Sequence, residues 1–110
     1  MMDERERRIA LNEAVFREAN ERIRELNESF ASITNELVLV CECGDGNCGD
    51  KISMGPAAYE ELRADPAQFA VVPGHEIPDV ETVVARREGY DVVRKKEGIP
   101  RKVAEVTDPR

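Results

Sequence analysis

The sequence predicts an α+β fold: a long N-terminal helix packed on, or projecting from, a small antiparallel sheet with a zinc-knuckle hairpin. Three observations lead there. Residues 1–30 carry an apolar repeat of helical period, short β-prone runs follow between turn-rich stretches, and all three cysteines fall between positions 41 and 48. A chain of 110 residues suits one domain with a modest core, near the size at which a metal staple helps.

The helix is predicted from Asp3 to Phe30. Its seam is Ile9, Asn12, Phe16, Ala19, Ile23, Leu26 and Phe30, alternating three and four apart like the a and d positions of a coiled coil. Glu4/Arg8, Glu13/Arg17 and Glu18/Arg22 are acid-before-base pairs at the favourable spacing of four. Leu11 and Val15 widen the stripe and suggest a second contact surface. Such a helix would be about 42 Å long at about 1.5 Å per residue. It must project, find a partner or a second copy, or fold across the sheet as its missing core. Asn12 either fixes register within a coiled-coil seam or lies beyond the contact, with the seam starting at Phe16.

Residues 31–35 read as a break. Glu36 to Val40 is a β-type run that feeds into the cysteines, and Lys51 to Met54 is its return strand. The intervening Gly, Asp and Asn residues tolerate positive φ, so a hairpin with a metal-clamped tip is expected. Gly55-Pro56 opens a short helix to Ala64, with Ala57, Tyr59 or Ala58, and Leu62 inward. Phe69 to Val72 is extended and Pro73-Gly74-His75-Glu76 is a tight loop. Val80 to Ala85 is β-prone, with a helical turn capped by Asp79 as the alternative. Glu88-Gly89 turns the chain into a strand from Tyr90 to Lys95. Pro100 and Pro109 in a polar stretch suggest a loose end. The organisation is thus 1–30 as a coiled-coil-like helix, 36–96 as a zinc-stapled α+β domain, and 97–110 as a flexible polar tail.

Cys41-Glu42-Cys43-Gly44-Asp45-Gly46-Asn47-Cys48 is a C-x-C-x4-C arrangement. Zinc takes thiolate and imidazole donors at the corners of a tetrahedron, and residues two apart can face one ion. His75 is the only histidine, and its Pro-Gly loop can deliver it as fourth ligand; Asp45, Asp50 and Glu76 are the fallback donors. Three cysteines cannot all pair within the chain, and their neighbours are Gly, Asp and Asn, which argues against incidental buried thiols. Glu42, Asp45 and Asp50 would raise a thiol's pKa, which disfavours a reactive nucleophile. Iron–sulfur clusters usually take four cysteines. A structural zinc closed by Cys41, Cys43, Cys48 and His75 is therefore expected.

Charged residues make up 35% of the chain, and no apolar run approaches the roughly 20 residues of a membrane span. A charged start without an apolar stretch is not a signal peptide, so the expected location is the cytoplasm. The net charge of -7 disfavours nucleic acid as a partner, although Arg86, Arg87, Arg94, Lys95, Lys96, Arg101 and Lys102 form a local basic cluster.

Two resemblances add to this reading. Cys41-Glu42-Cys43-Gly44 with Asn47-Cys48-Gly49 resembles the zinc-binding tail that follows SET methyltransferase domains, a likeness of about eight residues that implies zinc chemistry and not methyl transfer. The stretch from Asn12 to Ile23, the cysteine cluster and Val72-Pro73-Gly74-His75-Glu76 resemble small uncharacterised actinobacterial proteins. That resemblance implies that the three cysteines and His75 belong to one feature, with no activity to transfer.

The functional expectation is a small zinc-binding, non-enzymatic interaction or regulatory protein. It would contact a protein partner, or a second copy as a dimer, through the N-terminal helix. The alternative is a nucleic-acid- or ribosome-associated regulator using the basic C-terminal hairpin. A zinc hydrolase with Glu76 as base comes third, because no second polar constellation accompanies the metal.

Overall fold

The N-terminal repeat forms a helix, but its inward face is not the one that the apolar spacing marks. The computed structural model describes residues 3–29 and 36–110. Helix α1 spans Glu4–Ser29. Asp3 caps it: its carboxylate accepts the Glu6 N–H at 2.7 Å and its carbonyl the Arg7 N–H at 3.0 Å. These bonds satisfy amides that a helix start leaves open. The buried residues of α1 are Ile9, Glu13, Arg17, Asn20 and Glu21. With 3.6 residues per turn, that stripe is rolled roughly a quarter turn away from the expected seam. Asn12, Phe16, Ala19 and Ile23 are only half-buried on its flank and Leu26 is exposed. Phe30 and the expected break at 31–35 lie outside the described residues.

A polar inward face is tolerable because its groups find partners. Glu13 pairs with Lys95 Nζ at 2.7 Å, and the same ammonium donates to Glu81 at 2.9 Å. The Arg17 guanidinium donates to the carbonyls of Pro66 and Ala104 at 2.6 and 2.7 Å and lies 4.6 Å over the Phe69 ring. Asn20 exchanges both its amide groups with the Val40 backbone at 2.9 Å, occupying the outer edge of the first strand as a further strand would. Glu21 accepts the Tyr59 hydroxyl at 2.5 Å. Buried polar groups paired in this way anchor the helix without a continuous apolar stripe. Of the three expected pairs along α1, Glu18–Arg22 forms at 2.7 Å, whereas Arg7 takes Glu4. A 26-residue helix is about 39 Å long, and the molecule measures 45 × 25 × 25 Å. Helix α1 therefore lies along its own domain.

Strands β1 (Leu37–Val40) and β2 (Lys51–Met54) form the expected hairpin, paired from Leu37↔Met54 to Val40↔Lys51. Helix α2 (Pro56–Arg63) starts with Gly55 at its N-cap and Pro56 in the first turn, where a missing N–H costs nothing. Its buried residues are Tyr59, Leu62 and Arg63, while Ala57 is exposed. Strands β3 (Gln68–Val71), β4 (Glu81–Arg87) and β5 (Tyr90–Lys95) make an antiparallel sheet ordered β3-β5-β4. Alternation along β3 and β5 sends Ala70, Tyr90 and Val92 into one core with Leu37, Leu39, Ile52, Met54, Tyr59 and Leu62. Phe69, Val71 and Val93 join Cys41 and Cys43 in a second. Glu42 joins hairpin and sheet. Its N–H donates to the Ala70 carbonyl at 2.8 Å, and its carboxylate accepts from Ala70 N–H at 3.0 Å, Asn20 Nδ2 at 2.7 Å and Arg63 at 2.6 Å.

The expected flexible tail over 97–110 is corrected. Ile99–Val106 is helix α3, begun by Gly98 at φ 100° with proline in its first turn, the same grammar that opens α2. Ala104 is buried in the second core, and the Arg110 guanidinium bonds Glu21 and Glu60 at 2.8 Å. The polar composition of this segment reflects anchoring bonds to its own domain.

Two outcomes follow. Glu42→Ala strands the buried Arg63 guanidinium and is expected to cost about 3–5 kcal/mol in urea unfolding, the range for breaking one side of a buried ion pair. Burial, with the neighbouring Glu81 carboxylate adding and Lys95 opposing, holds the Glu13 carboxyl well above its usual value near 4.5. A raised acid binds its proton more tightly in the folded state, so this contribution to stability is full below the unfolded pKa. It is lost as pH rises through the folded one. Glu13→Gln is therefore expected to flatten the fall in melting temperature with rising pH above about 4.5.

Candidate metal centre

The β1 alternation that turns Leu37 and Leu39 inward continues through Cys41 and Cys43, because residues two apart share one side of an extended chain. The Cys41 N–H donates to the Asp50 carbonyl at 2.9 Å and carries the hairpin ladder one step further. The loop then folds back through an Asx turn, Asn47 N–H to Asp45 Oδ1 at 2.9 Å, with the Cys48 N–H on the Asp45 carbonyl at 3.0 Å. His75 arrives from the other side. Its N–H closes a turn on the Val72 carbonyl at 2.9 Å, and Gly74 supplies the φ of 92° that the turn requires.

The Sγ atoms of Cys41, Cys43 and Cys48 and a ring nitrogen of His75 all lie within 4.8 Å of one another. His75 Nδ1 is 3.6 Å from Cys41 Sγ and 3.7 Å from Cys48 Sγ. A tetrahedral ion with bonds of about 2.3 Å to sulfur and about 2.05 Å to nitrogen spaces sulfur and nitrogen about 3.5 Å apart. The two separations from His75 Nδ1 thus match the spacing that such an ion needs. The other ring nitrogen, Nε2, is 3.6 Å from Asp50 Oδ2, so a carboxylate lies near the far side of the ring. The Val72 N–H points at Cys41 Sγ at 3.2 Å, a bond that stabilises a thiolate. Of the fallback donors, Asp50 stands behind His75 and Asp45 caps the loop; neither they nor Glu76 belong to the four-atom cluster.

Burial pushes the Cys41 and Cys43 thiols up, with the Val72 and Asp45 backbone contacts opposing. The expected cause was different. Glu42 points away from the sulfurs to Arg63 and Asn20, so desolvation and not carboxylate repulsion leads. A divalent cation reverses that penalty, and its binding must release protons.

None of Gly44, Gly46 and Gly49 has the positive φ that the loop composition suggests. Gly44 is a seat for α1. A Cβ there would lie 2.6 Å from Ile9 Cγ2 and 2.8 Å from Ile77 Cδ1. Asn12 Nδ2 donates to the Gly44 carbonyl at 2.8 Å, so Asn12 makes a contact within its own domain. Sequence spacing alone could not find this contact across 32 positions.

Beside the cluster is a groove of about 240 Å³ lined by Cys43, Gly44, Asp45, His75 and Ile77. A second cleft, about 310 Å³, lies between α2 and the sheet; Leu62, Tyr90 and Val92 line it with Glu61 and Arg87. The basic cluster is largely engaged within the fold: Lys95 with Glu13 and Glu81, Arg86 with Asp91, Arg94 with Asp65, and Arg101 with Glu97 and the Lys95 carbonyl. Among the described residues no helix is long and apolar enough to cross a membrane.

The structure therefore defines an α+β protein with a Cys3His cluster able to hold a metal ion. No protein-family model, curated protein or solved structure matches the chain.

Gly44→Ala forces the rigid Ile9 side chain or the loop to move. It is expected to lower stability by about 1–3 kcal/mol, as overpacking does. It should also speed amide exchange over residues 9–16 more than over α2.

Proposed function

We propose that this chain is a small protein stapled by one structural zinc ion, held by Cys41, Cys43, Cys48 and His75, and that it acts without catalysis by contacting another protein. The observation that carries the zinc assignment is the donor set itself. Three sulfurs and one imidazole nitrogen within 4.8 Å of one another suit zinc, whereas calcium and magnesium take oxygen. Four protein donors leave no coordination position for substrate, which supports a structural over a hydrolytic role. Thiols kept for metal fit a reducing compartment such as the cytoplasm.

The contact surface we assign is the outer face of α1. Leu11, Val15 and Leu26 are 51%, 64% and 61% exposed, and they line one side of the helix while its opposite side is buried in the domain. A second copy meeting that face would give the dimer expected of a coiled-coil-like helix. The engagement of Lys95, Arg86, Arg94 and Arg101 in internal pairs weighs against the nucleic-acid alternative.

Elemental analysis of the purified chain should return about one zinc per molecule, and both Cys48→Ser and His75→Ala should lower that ratio and the melting temperature together, because structural zinc binding is coupled to folding. A folded His75→Ala protein with full zinc would sink the four-ligand assignment. Val15→Glu should leave zinc and helicity unchanged and abolish association by sedimentation. Identical monomeric profiles for wild type and variant at all concentrations would remove self-association.

A further inference from the structure

The three sulfurs of the cluster are not equivalent. Cys41 and Cys43 are buried to within 2% of full burial, whereas Cys48 is partly open to solvent. Cys48 is therefore the most open cysteine of the three, with Cys43 as a neighbouring thiol inside the same cluster. Only Gly44, Asp45, Gly46 and Asn47 separate those two cysteines in sequence, and this short segment supports the first half of α1. Ile9 packs on Gly44, and Asn12 bonds the Gly44 carbonyl and borders Gly46. Chemistry at Cys48 and Cys43 would therefore act on the seat of the helix.

We propose that Cys48 is an oxidation site for hydroperoxides, and that a Cys43–Cys48 disulfide releases the metal and unseats the first half of α1. This rests on the zinc reading above. Cys48 Sγ attacks the outer oxygen of the hydroperoxide; the O–O bond breaks and the remaining alkoxide leaves as alcohol after taking a proton. Cys48 is then a sulfenic acid. Cys43 Sγ attacks that sulfur, the S–S bond forms, the S–O bond breaks, and hydroxide takes a second proton to leave as water. The two sulfurs lose two electrons and the peroxide gains them. Cys41 and His75 alone do not hold the ion. The Cys43–Cys48 link redraws the loop, so Gly44 no longer meets Ile9 and Asn12. Residues Ile9 to Phe16 then open, the Glu13–Lys95 pair breaking with them, while the Arg17, Asn20 and Glu21 anchors keep the rest of the helix docked. A reductant reverses the change.

The test uses the full chain loaded with zinc and treated with hydrogen peroxide and tert-butyl hydroperoxide. Zinc release to a chromogenic chelator, free-thiol counting, peptide mapping and amide exchange are followed together. Zinc is expected to leave in step with the loss of two thiols, the Cys43–Cys48 peptide to appear, and exchange over residues 9–16 to rise about tenfold or more, as for opening of a local unit. Dithiothreitol with zinc should restore all three. Cys48→His keeps four donors and removes the accessible thiolate, so it should bind zinc and release it about tenfold more slowly under peroxide. Asn12→Ala should form the disulfide normally but show raised exchange before oxidation. Zinc retained in excess peroxide, sulfinate on Cys48 without a disulfide, or wild-type release from zinc-loaded Cys48→His would each overturn the proposal and leave the structural zinc standing. A chain that takes up no zinc would overturn the earlier reading instead.

Discussion

The Glu42 carboxylate is the point on which the rest of this structure depends. It is fully buried and accepts from Asn20 of α1, Arg63 of α2 and the Ala70 N–H of β3, while its own backbone N–H reaches the Ala70 carbonyl. One side chain thus ties three elements to the hairpin that bears it. A buried carboxylate with fewer partners would be too costly to keep. Because it sits between Cys41 and Cys43, the alternation that sends both sulfurs toward the metal position sends Glu42 the opposite way into this network. Metal loop and polar network are two faces of the same three residues.

That placement changes how the cluster stabilises the protein. The sulfurs of Cys41 and Cys43 belong to the second core with Phe69, Val71 and Val93, so the site is continuous with the packed interior. Burial makes the thiols poor acids, and a cation must offset that penalty before they serve as thiolates. The donors are already fixed on a strand extension and a turn, which lowers the ordering cost of holding such a cation. The loop is also part of the support for α1, through Ile9 and Asn12 on Gly44.

Local signals made much of this legible in the sequence. The hairpin β1–β2, helix α2 and strands β3 to β5 fall close to where β-branched runs, Gly-Pro steps and turn residues place them. The four donors come together as their chemistry suggests. What spacing could not show was the orientation of α1. Periodicity counts apolar residues, and the helix buries Glu13, Arg17, Asn20 and Glu21 because each has a partner distant in sequence: Lys95, Pro66, Val40 and Tyr59. The same limit hid α3. Its polar composition reads as a tail until Ala104 is seen in the core and Arg110 between Glu21 and Glu60. Gly98-Ile99-Pro100 did carry a helix-start signal, of the kind recognised at Gly55-Pro56.

A thin aliphatic core explains why the helix is held by polar anchors and why a Cys3His cluster suits this fold. The chain has no Trp and only 5% aromatic residues, and α1 adds little apolar area beyond Ile9 to the buried set. Association by hydrophobic burial alone would be loose and would not fix its rotation. Paired charges and amide bonds are directional, so they hold α1 in one rotational setting even when their net contribution is small. The helix is therefore positioned by polar geometry on its inner side, which leaves Leu11, Val15 and Leu26 on its outer side. Had the apolar seam itself been the docking face, Leu26 would be covered. Its exposure follows from the same buried Glu13, Arg17, Asn20 and Glu21 contacts that align the helix with the metal loop.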